Sequence, residues 1–155
     1  MSRILIAVSS PWAAEKVVAP LADLALRLKA EVLVVHVSRP SGGQMREQEQ
    51  ADGEAAISLL RGKLQEQGVT VQTLLMFSDD IARAIINTAS EREVTLIVLG
   101  LTGKNIFARL LAGNVPVELI RNTKIPVILF PPDWKRSDLR KFNARFEVFG
   151  SLEAA

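Results

Sequence analysis

Five short apolar runs, separated by longer amphipathic stretches, constrain this chain most strongly. The runs are Ile4 to Val8, Glu31 to Val37, Val69 to Met76, Val94 to Leu99 and Ile125 to Phe130. Ile4-Leu5-Ile6-Ala7-Val8 shows no polar alternation, the pattern of a strand buried on both faces. Between the runs, helices are expected over about 12–29, 47–67, 79–91 and 115–122. A strand–helix alternation repeated through the chain predicts an α/β fold: an open five-stranded parallel sheet with helices on both faces, a three-layer α/β/α arrangement. Its crossovers are right-handed. Ligands of such sheets bind at the carboxyl ends of the strands, near a topological switch point.

Local signals refine the elements. Val17, Val18, Leu21, Leu24, Ala25 and Leu28 lie on one face of the first helix. Pro20 interrupts that helix, which either kinks there or has its regular part starting near the proline. Residues 38–46, with Pro40, Gly42 and Gly43, read as a loop. Gly68 is placed to cap the second helix. Ser78 or Asp79 is placed to cap the third, which makes Asp79-Asp80 a helix start with favourable charge rather than a paired-carboxylate site. Pro131-Pro132 stops the last strand. The tail beyond it holds Trp134, Phe142, Phe146 and Phe149 among mixed charges, and its pattern fits a helix face or a short edge strand equally.

The most suggestive segment for function follows the fourth strand. Gly100, Gly103 and Gly113-Asn114 lie between that strand and the helix expected from Val115. Glycines admit close approach of a ligand to the backbone. Free N–H groups and the dipole at a helix start attract anions. Lys104 adds a point charge suited to phosphate. Nucleotide phosphate is therefore the first ligand to test. The plain alternative is a loop whose glycines only shape a turn.

Composition narrows the partners. A formal net charge of +2 is too small to argue for nucleic acid, which needs a concentrated basic face. There is no cysteine, which removes disulfides and cysteine-based metal sites or nucleophiles. No apolar stretch approaches the roughly 20 residues of a membrane span, and no signal-peptide pattern opens the sequence. The cytoplasm is the expected location, without membrane insertion.

With these segments in hand, the chain resembles the universal stress protein family over about residues 2–131. Three segments carry the likeness: Arg3-Ile4-Leu5-Ile6-Ala7-Val8, then Glu31-Val32-Leu33-Val34-Val35-His36-Val37 with its His-Val ending, then the block from Ile97-Val98-Leu99-Gly100 to Phe130. Nucleotide-binding members carry Gly, two residues, Gly, nine residues, Gly, then Ser or Thr. Gly100, Gly103 and Gly113 keep that spacing. The resemblance implies a Rossmann-like fold of the adenine nucleotide α-hydrolase type, a domain over 1–131 and a separate tail over 132–155. It also implies ATP or AMP, or a cyclic nucleotide, as ligand, with Mg2+ only alongside a triphosphate.

The implied site is Ser9, Val37, Leu99, Gly100, Gly103, Lys104, Gly113, Asn114 and Val115. Two of these depart from the family pattern. Ser9 stands where the ATP binders carry an Asp, and Asn114 where they carry Ser or Thr. Asn is still a good helix cap and its amide donates. Pro116 removes one donor but suits a first helical turn. One lost polar contact costs about 0.5–1.5 kcal/mol, roughly tenfold in affinity, so the expectation is an altered nucleotide preference. Ser9 also reads as a cap for the first helix, and Val37 as a strand-end core residue.

Other motifs are weaker. His36, the sole histidine, lies inside a strand and reads as structural. Ser41-Gly42-Gly43 is similar to a pyrophosphatase-type loop but lacks the Asp-Ser that follows. Gly103-Lys104-Asn105 lacks the Ser/Thr of a P-loop. No catalytic triad or metal cluster is evident.

Three functions stay open: a nucleotide-binding regulator acting through a homodimer, a nucleotide-independent interaction module, and a slow ATPase. The homodimer is expected to pair the Val127–Phe130 strand, whose apolar edge needs cover. The tail is a candidate surface for an unknown protein partner.

Overall fold

The computed structural model describes residues 1–40, 43–100 and 115–130, with residues 43–46 described by backbone alone. The element order is β1 (Arg3–Ala7), α1 (Pro11–Leu28), β2 (Glu31–Ser38), α2 (Gly43–Glu66), β3 (Val71–Phe77), α3 (Ile81–Glu91), β4 (Leu96–Gly100), α4 (Val115–Asn122) and β5 (Val127–Phe130). The five strands form one parallel sheet in the order β3-β2-β1-β4-β5. The chain winds outward from β1 to β3, then crosses back to lay β4 on the other side of β1. The switch point therefore lies between β1 and β4.

Strand alternation divides the core into two layers. Ile4, Ile6, Val32, Val34, Leu96 and Val98 pack with Val17, Leu21 and Ala25 of α1 and Leu60 and Leu64 of α2. Leu5, Leu33, Val35, Ile97 and Leu99 pack with Ile85 and Ala89 of α3 and Leu119 of α4. Burial on both faces is why β1, β2 and β4 read as largely apolar runs.

Several expectations shift at the element ends. Helix α1 starts at Pro11 and continues through Pro20, so its regular part does not begin near Pro20. An interior proline costs about 3 kcal/mol, and burial of its ring offsets part of that. Leu28, expected on the buried face, is 44% exposed. Helix α2 begins at Gly43, inside the expected loop. The cap of α3 is Asp80, not Ser78 or Asp79: its carboxylate accepts from the Arg83 N–H at 3.0 Å. Ser41, Gly42, the segment 101–114 and the tail from 131 onward, Trp134 included, lie outside the described residues.

Three helices end in the same hydrogen-bonded turn. After α2, the Val69 N–H donates to the Leu64 carbonyl and the Gly68 N–H to that of Gln65, at 3.1 and 3.0 Å. Gly68 has φ +84°, so the expected glycine cap is present as a Schellman motif. After α1, Ala30 bonds Ala25 and Lys29 bonds Leu26; after α3, Val94 bonds Ala89 and Glu93 bonds Ser90. There the left-handed position falls on Lys29 (φ 50°) and Glu93 (φ 55°). A side chain in that region costs roughly 1–2 kcal/mol, part of which glycine would return through its larger unfolded-state entropy. Lys29→Gly and Glu93→Gly are each expected to raise stability by about 0.5–1 kcal/mol, and Gly68→Ala to lower it by about 1 kcal/mol, read from urea unfolding midpoints.

Candidate functional site

The carboxyl edge of the sheet gathers the ends of β1, β2 and β4 with the starts of α1 and α4. The opposite edge is taken up by structural contacts. There Arg3 pairs with Glu31, and the Arg3 N–H donates to Thr95 Oγ1 at 2.9 Å.

Ser9 follows β1 and is exposed, and among the described residues its hydroxyl makes no hydrogen bond. The capping role belongs to its neighbour. Ser10 is the N-cap of α1, and its Oγ accepts from the Ala13 N–H at 3.2 Å. Ser9 thus stands just past the end of β1, at the switch point, and its hydroxyl bonds none of the described residues.

On the neighbouring strand stands Gly100, the last residue of β4, paired with Phe130. Its backbone is extended, so no turn requires a glycine here. Space does: a Cβ on Gly100 would lie 2.7 Å from Val17 Cγ1. The glycine thus lets α1 lie close against the end of β4. Leu99 and Val37 are 6% and 5% exposed and belong to the core layer beneath α3 and α4. Val115 opens α4 and packs against the same layer. Pro116 sits in the first turn of α4, where its missing N–H leaves no helical bond unmade. Five of the nine expected site residues are therefore described, all on the carboxyl edge. Gly103, Lys104, Gly113 and Asn114 lie outside the described residues.

A residue read only as structural proves central to this edge. His36 is 2% exposed. Its Nδ1 lies 2.7 Å from the Val8 carbonyl and its Nε2 lies 3.0 Å from Ser38 Oγ. A carbonyl only accepts, so Nδ1 carries the proton, and Nε2 can accept from the Ser38 hydroxyl. Above the ring is Gly53 of α2, where a Cβ would stand 2.1 Å from His36 Cδ2. The sequence signal for this contact was a glycine within a helical pattern, which can mark a packing requirement; Gly62 in the same helix carries the same signal but borders open space.

A second concavity of about 410 Å3 lies between α3 and α4, with Asp80, Arg83, Asn87, Glu118 and Asn122 in its wall. None of the five described nucleotide candidates lines it. Asp80 is committed to the cap, and Asn122 Nδ2 donates to the Glu118 carbonyl at 2.8 Å. The strand ends at the switch point are the better candidate, because Ser9 follows β1 and Gly100 ends β4 there.

Comparison with known proteins agrees with this topology. The model of the universal stress protein family matches residues 1–131. The chain belongs to the universal stress protein family. A universal stress protein of Methanocaldococcus jannaschii is 32% identical over 78 residues, a stretch covering 50% of this chain and 45% of that relative. The Archaeoglobus fulgidus universal stress protein solved in complex with dAMP superposes with a TM-score of 0.65 at 23% identity, over 83% of this chain and 97% of that one. A universal stress protein solved in complex with cAMP gives 0.66 at 18% identity, over 85% and 98%. At these identities the two structures speak for the fold. No helix among the described residues is long and apolar enough to cross a membrane.

The contact between Gly100 and Val17 yields a direct check. Gly100→Ala is expected to cost about 1–3 kcal/mol through overpacking. Val17→Ala should cost less in the Gly100→Ala background than in wild type, because it vacates the contested space. A double-mutant cycle in urea unfolding measures that coupling.

Proposed function

We propose that this universal stress protein is a regulator that binds an adenine nucleotide at the carboxyl edge of its sheet and acts as a homodimer. The observation that carries the reading is the convergence on the switch point: Ser9 with a free hydroxyl on one side, Gly100 on the other, and the start of α4 close by. Solved neighbours of the same fold were crystallised with dAMP and with cAMP, which supports an adenine nucleotide as the ligand class.

In this reading the adenosine lies across the strand ends near Ser9, Val37 and Leu99. The phosphates meet Gly100, Gly103, Lys104, Gly113, Asn114 and the N-terminal end of α4 at Val115. Backbone N–H groups and the helix dipole supply the attraction, and Lys104 supplies charge. Ser9 is short and uncharged, so it holds a ribose less firmly than a carboxylate would. AMP, ATP and cyclic nucleotides are all candidates, with Mg2+ accompanying only a triphosphate. The protein acts in the cytoplasm, and residues 132–155 form a tail outside the 1–131 domain that is available to a protein partner. The dimer reading is supported by β5, an edge strand whose Val127, Ile128 and Leu129 are only half-buried; such an apolar edge is normally covered.

Titration calorimetry with ATP, ADP, AMP and cAMP tests the ligand. Wild type should bind at least one of them, and Gly113→Val should weaken that binding by about tenfold or more, since it obstructs backbone approach to a phosphate. Absence of binding by wild type would remove the nucleotide reading. Steady phosphate release from ATP, lost in Gly113→Val, would favour the slow ATPase instead. Light scattering at micromolar concentration should report a dimer mass, and a monomer would count against pairing through β5.

A further inference from the structure

We infer that His36 is a positioning residue for the nucleotide site: its imidazole clamps the Val8–Ser9 segment onto the end of β2. The inference rests on the adenine-nucleotide reading above for what the clamp serves, and on hydrogen-bond geometry for the clamp itself.

Strand β1 leaves its ladder with β2 at the pair Ala7 and Val35. The Val8 N–H still reaches the Val35 carbonyl, at 2.9 Å. The Val8 carbonyl lies past the last ladder pair and receives the His36 Nδ1–H at 2.7 Å. Both backbone groups of the residue before Ser9 are thus held by β2. Without that imidazole, a buried carbonyl would lose its partner at the point where the chain turns outward to the site.

The ring has little room to do anything else. Ser38 Oγ holds Nε2 at 3.0 Å, and Ser38 is itself fully buried. Gly53 closes the ring from above, with room for a hydrogen but none for a methyl group. Glycine in a helix interior costs about 0.5–1 kcal/mol relative to alanine, and here the ring occupies the space the missing side chain leaves. His36 precedes Val37 on β2, so one residue ties together the strand ends that carry two of the proposed ligand contacts, Ser9 and Val37. Ser10, whose hydroxyl caps α1, follows directly on the clamped segment. The clamp therefore sets both where the Ser9 hydroxyl stands and where α1 begins.

Two substitutions at His36 separate positioning from bulk. His36→Leu keeps volume and removes the donor; His36→Asn keeps an N–H near the Nδ1 position. Amide exchange by NMR is read at Val8 and Ala13, with Ile6 as the reference within β1. Calorimetry with AMP and with cAMP is run on the same proteins. His36→Leu should speed exchange at Val8 and Ala13 about tenfold relative to Ile6 and weaken nucleotide binding about tenfold, the scale of one lost hydrogen bond. His36→Asn should recover most of both. Gly53→Ala leaves the imidazole intact and displaces it, so it should move both readouts the same way, and it keeps the test open if His36→Leu does not fold. Exchange unchanged in both His36→Leu and Gly53→Ala would overturn the clamp. Faster exchange with wild-type affinity would overturn its service to the site. If wild type binds none of ATP, ADP, AMP and cAMP, the functional reading falls separately, and the exchange data alone decide the clamp.

Discussion

Strand β1 is hydrogen-bonded on both sides and covered on both faces, and the remaining architecture follows from that position. It pairs with β2 from Arg3 to Ala7 and with β4 from Ile4 to Ile6. A strand so enclosed has no face for polar residues, which is why Ile4, Leu5 and Ile6 are all fully buried. It also has the chain reverse its winding direction beside it. Crossovers to one side of β1 carry α1 and α2 onto one face of the sheet. The return to the other side carries α3 and α4 onto the opposite face. Helices α1 and α4, which follow β1 and β4, thus lie on opposite faces of the sheet, and the switch point falls between the ends of those two strands.

The enclosure explains how much of the fold could be read from the residues alone. The inner strands β1, β2 and β4 were legible as apolar runs because they are buried from both faces, and the helix at 115–122 agrees with the structure at both ends. What escaped was decided by contacts between distant elements. Pro20 looked like a boundary, but its ring is buried in a helix already nucleated at Pro11 behind the Ser10 cap. Ser9 reads as the cap of α1, but the backbone places the cap one residue later at Ser10, whose hydroxyl accepts from the Ala13 N–H. The left-handed turns at Lys29 and Glu93 carry no glycine signal, although they form the same hydrogen bonds as Gly68.

The candidate site was legible in part for a related reason. Spacing of glycines is a local property, so Gly100, Gly103 and Gly113 could be picked out directly. The partner of an imidazole is not local. His36 reaches Val8 across 28 positions, and Gly53 contacts the ring from a different element. No window along the sequence contains that trio, so a histidine in a strand without a nearby carboxylate looked inert. The structural reading was correct as to burial. It missed that the bond ends on the residue before Ser9.

Two glycines thus serve through the space they leave rather than through unusual backbone angles. Gly53 admits the ring of His36, and Gly100 admits Val17. Both openings lie on the α1–α2 side of the sheet, and both bear on the carboxyl edge: one through the end of β1, the other through the end of β4. Close packing makes such contacts stiff, because a gap or overlap of a single methyl group is felt by the surrounding side chains. The ends of β1 and β4 are therefore held by packing from behind, through α1 and α2. Val37, Leu99 and Val115 are supported from the other layer, with Leu119 of α4 among them. Each core layer thus supports different strand ends on this edge. A shift of α4 relative to α3 would then disturb the second set while leaving the clamp at His36 and the contact at Gly100 intact.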